Sequence, residues 1–181
     1  MPEPTIRADL QQVIDDLAAA HAGPAFVPHM TVALSAQSAP DKVRQALQQG
    51  AATIAPLELE PLELLFSAAF TKSCFVQFEL NDELMQLANA CRQRDTSSAA
   101  YSFNPHLSLF YGALDEPQRH DILQRVVLPA TIHFSELWAI QISNKTTSAQ
   151  DVHDWQVVGQ TVLPPAATRP ADQNGQIPRD P

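Results

Sequence analysis

The chain has 181 residues, 45% hydrophobic and 17% charged, with 15 prolines, 11 basic against 20 acidic residues and a formal charge of −9. That length buries enough core to fold unaided as one large domain or two small lobes. The acidic balance argues against a long polyanion as main partner, because nucleic-acid binders carry a basic footprint, and no run approaches the roughly 18 consecutive apolar residues of a membrane helix.

The opening MPEPTIRADLQQ lacks the basic start and apolar core of a signal peptide. A cytoplasmic globular protein without a membrane partner, and a monomer, is therefore expected. Ile6, Leu10, Val13, Ile14 and Leu17 recur at spacings of three and four, which predicts a helix over 6–21 ended by Gly23 and Pro24. Phe26 to Leu34 reads as a strand. Pro40 and Asp41 open a second helix, with Val43 and Leu47 on one face and Gly50 as its stop. Segments 57–66 and 73–80 read as strands, and Asn81 and Asp82 cap a third helix running to about Arg94. The polar stretch RDTSSAA leads to a strand at 106–111, a helix at about 117–126, and strands at 131–143 and 155–163. The tail, 164–181, is proline-rich and without periodicity, and disorder is expected there. Cys74 and Cys91 have no zinc or redox spacing and read as buried reduced thiols.

The order is helix, strand, helix, two strands, twice over. FVPHMTV at 26–32 aligns without a gap on FNPHLSL at 103–109, an offset of 77, and Pro40 and Pro117 share that offset. Side chains alternate along a strand, so His29 shares a face with Thr31, and His106 with Ser108. Two lobes related by a pseudo-twofold axis would bring the pairs together across a groove. Such a constellation suits general acid–base chemistry, since histidine can take or give a proton near neutral pH. The hydroxyls suit donation to non-bridging oxygens of an anion lying between the histidines.

PHMTV and PHLSL resemble the paired H-x-[S/T]-hydrophobic motifs of the two-histidine (2H) phosphoesterases. The wider phrasing is similar to their cyclic phosphodiesterase branch: GPAFVPHMTVALSA at 23–36, SCFVQF at 73–78, NPHLSLFYGAL at 104–114 and DWQVV at 154–158. The resemblance implies an α+β, bilobal duplicated fold, with two antiparallel sheets facing a central cleft and helices outside. Residues 1–163 would form that single domain, its lobes interleaved around the motifs at 29–31 and 106–108. It implies hydrolysis of small cyclic phosphates, nucleoside 2′,3′-cyclic phosphate or ADP-ribose 1″,2″-cyclic phosphate, without metal or organic cofactor. His29 and His106 carry over as the catalytic pair, with His106 as base and His29 as acid. Thr31 and Ser108 carry over as phosphate binders, Tyr111 as an aromatic that stacks on base or sugar, and Phe70 as a further wall of the groove. Relatives usually open with an apolar strand bearing a tryptophan near the ligand, whereas MPEPTIR starts at the first helix. The expectation is a start placed too far downstream or a first lobe lacking its edge strand, with an exposed sheet edge and one wall of the base pocket missing.

Other chemistries have less support. Asp151-Val152-His153-Asp154 is the nearest approach to a metal site, and a solvated turn explains it equally well. Ser108 lacks the G-x-S-x-G elbow of a serine nucleophile. His21, His120 and His133 have no motif company and read as structural or surface residues. Lys72 could approach the phosphate, although lysines at strand starts are common. A 2′-5′ RNA ligase or RNA end-processing phosphodiesterase, acting on RNA ends in RNA metabolism, is the alternative within the superfamily. The lack of clustered Lys and Arg counts against it. A non-catalytic nucleotide-binding module is disfavoured by the intact motifs.

Overall fold

The structure, a computed structural model, describes residues 1–34, 39–52, 54–92, 102–142 and 145–165. Helix α1 spans Pro4–His21, its proline at the start, where no intrahelical donor is needed. Leu10, Ile14 and Leu17 form its buried stripe, each burial worth roughly 1.5–3 kcal/mol. Ala22 ends it in the left-handed region, at φ 55° and ψ 38°. The backbone then passes Phe110 so closely that a Cβ on Gly23 would lie 2.3 Å from that ring and 2.7 Å from the Tyr111 carbonyl.

Helices α2 (Pro40–Ala51), α3 (Asp82–Arg92) and α4 (Glu116–Arg125) fall where periodicity and caps place them. A reciprocal box of Asp115 and Gln118 caps α4. Sequence reading missed α5 (Ala149–His153), whose five residues are too few for periodicity to register. The Asp151 carboxylate accepts from the amides and hydroxyls of Thr147 and Ser148. The stretch noted as a possible metal site or turn forms the last residues of α5 and its C-cap, Asp154. The expected helix end at Arg94, RDTSSAA and tail residues 166–181 lie outside the described residues.

The class is α+β with antiparallel ladders. Among the described residues these ladders form three sheets rather than the two expected. Strand β1 (Leu57–Leu59) pairs with β5 (Ile132–Phe134). Strand β3 (Cys74–Phe78) lies between β2 (Pro61–Phe66) and β4 (His106–Phe110), and β6 (Glu136–Gln141) pairs with β7 (Gln156–Val162). The expected single strands at 57–66 and 131–143 are each broken after three residues, and the pieces enter different sheets. Pro61 has no amide hydrogen to continue a ladder. Ser135 N donates to Met1 O, and Ser135 O accepts from Leu163 N.

The expected strand at 26–34 is reduced to one antiparallel bridge, Met30 with Leu107. Pro24 and Pro28 supply no amide donor, and the Phe26 and Val27 carbonyls accept from the side chains of Gln11 and His29. The residues ahead of α1 meet an edge. Pro2 bridges Phe134, Glu3 N donates to His133 O, and Met1 O accepts from Ser135 N. The residues ahead of α1 thus lie along β5.

The halves of the sequence interleave. Strand β4 of the second half completes the β2–β3 sheet of the first, while α1 packs on β4 and α2 on the β6–β7 hairpin. A continuous core joins Leu10, Ile14, Val76, Leu84, Leu107, Ile122 and Ile132. Cys74 is a buried thiol, which pushes its pKa up to about 12, and Cys91 is half-buried. Among the described residues no helix is long and apolar enough to cross a membrane.

Candidate active site

The Met30–Leu107 bridge fixes how the two motifs meet. Both side chains are buried, so they point into the core. Directly opposite residues of an antiparallel pair share a face, and their neighbours point to the other. By antiparallel alternation about this bridge, His29 is in register with Ser108 and Thr31 with His106, on the face opposite Met30 and Leu107.

The imidazoles are held identically. His29 Nδ1 lies 2.7 Å from Val27 O, and His106 Nδ1 lies 2.7 Å from Asn104 O. A carbonyl only accepts, so each Nδ1 carries the hydrogen and each neutral ring leaves Nε2 with a free lone pair. His29 is half-buried, edge-on to Phe26 at 6.3 Å and to Trp155 at 5.7 Å between centroids. Burial pushes its pKa below the ordinary histidine value, and His106 adds to the shift. His106 is edge-on to Phe75 at 5.6 Å, and its pKa is lowered by burial and then by Lys72.

The hydroxyls differ. Thr31 is half-buried two residues beyond His29. Ser108 is 4% exposed and donates to Thr71 O at 2.9 Å. Tyr111 is 4% exposed, with one ring face stacked on Phe26 at 3.8 Å between centroids and 11° between planes. That face is closed to a substrate base. The Tyr111 hydroxyl meets Ser108, while burial pushes its pKa above the ordinary phenol value. Phe70 is half-buried, its ring 6.1 Å from Tyr111.

Phe70 belongs to a single 3₁₀ turn, Phe70–Lys72. The buried Ser73 hydroxyl reaches both Phe70 O (3.0 Å) and Gly112 O (2.7 Å), and accepts from Gly112 N. Gly112 has φ 143°, a conformation that favours glycine. This knot holds the turn against the end of β4. Lys72 Nζ lies 4.1 Å from the Phe75 ring centroid.

Sequence reading missed Trp155 as a site residue. Its ring lies 6.1 Å from Tyr111, and its indole N–H donates to Thr146 Oγ1 at 3.2 Å. The segment DWQVV carried the signal. The other histidines lie elsewhere. His21 meets Phe110, His120 bonds Gln124 on the outside of α4, and His133 faces Glu58 across β1 and β5.

Three comparisons bear on this arrangement. A family model described as "Cyclic phosphodiesterase-like protein" matches residues 2–163. The cyclic phosphodiesterase of Arabidopsis thaliana is 22% identical over 125 residues, which is 69% of either chain. Crystal structures of E. coli LigT, in apo form and complexed with 3′-AMP, superpose with a TM-score of 0.52 at 20% and 18% identity. The alignments cover 86% of this chain and 91% and 92% of theirs. At that identity the likeness is one of fold.

Proposed function

The chain belongs to the cyclic phosphodiesterase-like family, within the two-histidine phosphoesterases, and from that premise we propose that it hydrolyses small cyclic phosphodiesters by paired general acid–base catalysis. Nucleoside 2′,3′-cyclic phosphate and ADP-ribose 1″,2″-cyclic phosphate are the proposed substrates. The observation that carries the reading is the matched pair of Nδ1–carbonyl bonds, which leaves two Nε2 atoms available on one face of the joined motifs.

Opening a cyclic phosphodiester requires water to attack phosphorus opposite the leaving oxygen. One neutral histidine takes the proton of that water at Nε2. The other, protonated, gives its Nε2 hydrogen to the leaving oxygen. The carbonyl bond at Nδ1 serves both forms, because Nδ1 carries hydrogen in each. We assign His106 as base and His29 as acid, following the family resemblance. The Thr31 hydroxyl donates to one non-bridging oxygen. Ser108 donates to another by exchanging the neutral Thr71 carbonyl for a charged oxygen, and charge-assisted hydrogen bonds are the stronger ones. Tyr111 positions Ser108 from behind, and Phe70 with Trp155 forms the aromatic surroundings of the leaving group. No step draws on a metal ion or cofactor. One two-lobed domain over residues 1–163, acting as a monomer in the cytoplasm, completes the proposal.

The test is turnover of adenosine 2′,3′-cyclic monophosphate with and without a chelator. Chelator-insensitive release of a monophosphate is expected. Activity lost with chelator and restored by zinc would overturn the metal-free mechanism. Turnover of 2′-5′-linked oligonucleotides alone would favour the RNA-processing alternative.

A further inference from the structure

We propose that Lys72 is a phosphate-binding residue of the candidate site, its ammonium pairing with the charge of a phosphoryl group held beside His106. The inference rests on the reading of that site given above.

Four observations carry it. The turn bearing Lys72 is held in place on several sides: Ser67 Oγ donates to Lys72 O at 2.6 Å, Lys72 N donates to Ala69 O, and Ser73 Oγ reaches Phe70 O. The ammonium lies over Phe75, the ring that His106 meets edge-on. Its position is thus tied to the candidate base through one shared aromatic. Among the described residues no carboxylate forms an ion pair with Lys72. Burial also lowers the Lys72 pKa. A cation drawn partly out of water without a counter-ion gains more from an arriving anion than a fully solvated one does.

The fourth observation concerns the neighbouring hydroxyl. Ser108 gives its hydrogen to Thr71 O, so the second motif begins with its hydroxyl donor engaged. Lys72 follows Thr71 directly and supplies a full positive charge there. In a chain of formal charge −9, an anionic substrate meets an unfavourable overall field, and a local cation at the site offsets it. Charge on phosphate grows from the cyclic diester monoanion toward the monoester dianion. Lys72 therefore favours product-like species over substrate.

The experiment compares wild type, Lys72→Met and Lys72→Arg. Calorimetric titration measures binding of adenosine 2′- and 3′-monophosphate and of uncharged adenosine, and thermal melting checks folding. Loss of a charge-assisted contact predicts monophosphate binding about tenfold or more weaker in Lys72→Met, adenosine binding unchanged, and most of the affinity kept in Lys72→Arg. Unchanged monophosphate binding in Lys72→Met would overturn the proposal. So would equal losses for monophosphate and adenosine, or a wild type that binds neither. Turnover of adenosine 2′,3′-cyclic monophosphate by the wild type is read separately. A protein with Lys72-dependent monophosphate binding and no turnover would keep this inference while overturning the hydrolytic reading.

Discussion

Met30 and Leu107 pair backbone to backbone with both side chains in the core, and through that one bridge the two motif segments present a crossed set of side chains. His29 falls opposite Ser108, and Thr31 opposite His106. The repeat therefore brings its two copies into direct register.

Replacement of either histidine should stop turnover without unfolding the protein. His29→Ala and His106→Ala are each expected to lower kcat by about 10²–10⁴-fold, with melting temperature and near-ultraviolet dichroism close to wild type. A loss below about tenfold at either position would remove that residue from the acid–base pair.

The crossed register predicts which residues act as a unit. Thr31→Ala should cost up to roughly 10²-fold on its own. In a His106→Ala background most of that loss should disappear, because residues sharing one task are not additive. In a His29→Ala background more of it should persist. Equal coupling of Thr31 to both histidines, measured by double-mutant cycles on kcat/KM, would contradict the register as the working arrangement.

Both motif histidines have pKa values lowered chiefly by burial. Below about pH 6.5 the unfolded chain takes up protons that the folded histidines resist. Stability is therefore full above that pH and falls as pH drops through the folded values. Urea unfolding at pH 7.5 and 5.5 should show a smaller loss for His29→Gln than for wild type. The same shift puts the acid limb of the kcat/KM profile below pH 6.5, where the coupled pair titrates together. An acid limb above pH 7 would show that the pair titrates higher than its burial dictates.

Ser73 is a structural target beside the site. Its 1% exposed hydroxyl joins the 70–72 turn to Gly112. Ser73→Ala should lower stability by about 1–3 kcal/mol and raise KM more than it lowers kcat, because the turn carrying Phe70, Thr71 and Lys72 loses its anchor. Chemical denaturation and steady-state kinetics check both parts.

Gly23→Ala tests the close approach behind the site. Its added methyl would have to displace Phe110 or the Tyr111 backbone, and a strained core substitution typically costs about 1–3 kcal/mol. A melting temperature equal to wild type would show that Phe110 yields freely.

The sequence by itself determined what is local or repeated. Helical periodicity placed α1 and α2, the capping Asn81 and Asp82 placed α3, the opening Pro117 placed α4, and the gapless offset of 77 singled out His29, Thr31, His106 and Ser108. Those signals rest on spacing along the chain, which an extended sequence displays in full. Only the tertiary structure decided where strands break and which sheets their pieces join. The breaks at Glu60 and Ser135 and the loss of a ladder at 26–34 depend on where backbone groups find partners. Met1, Leu163, Gln11 and the His29 ring supply them from elsewhere in the chain or from side chains. Tertiary packing likewise laid Tyr111 against Phe26, turned Ser108 toward Thr71, and brought Trp155 to His29 and Lys72 over Phe75. These contacts could not be read from the repeat, because packing joins residues by proximity in space and a single sequence records only their order.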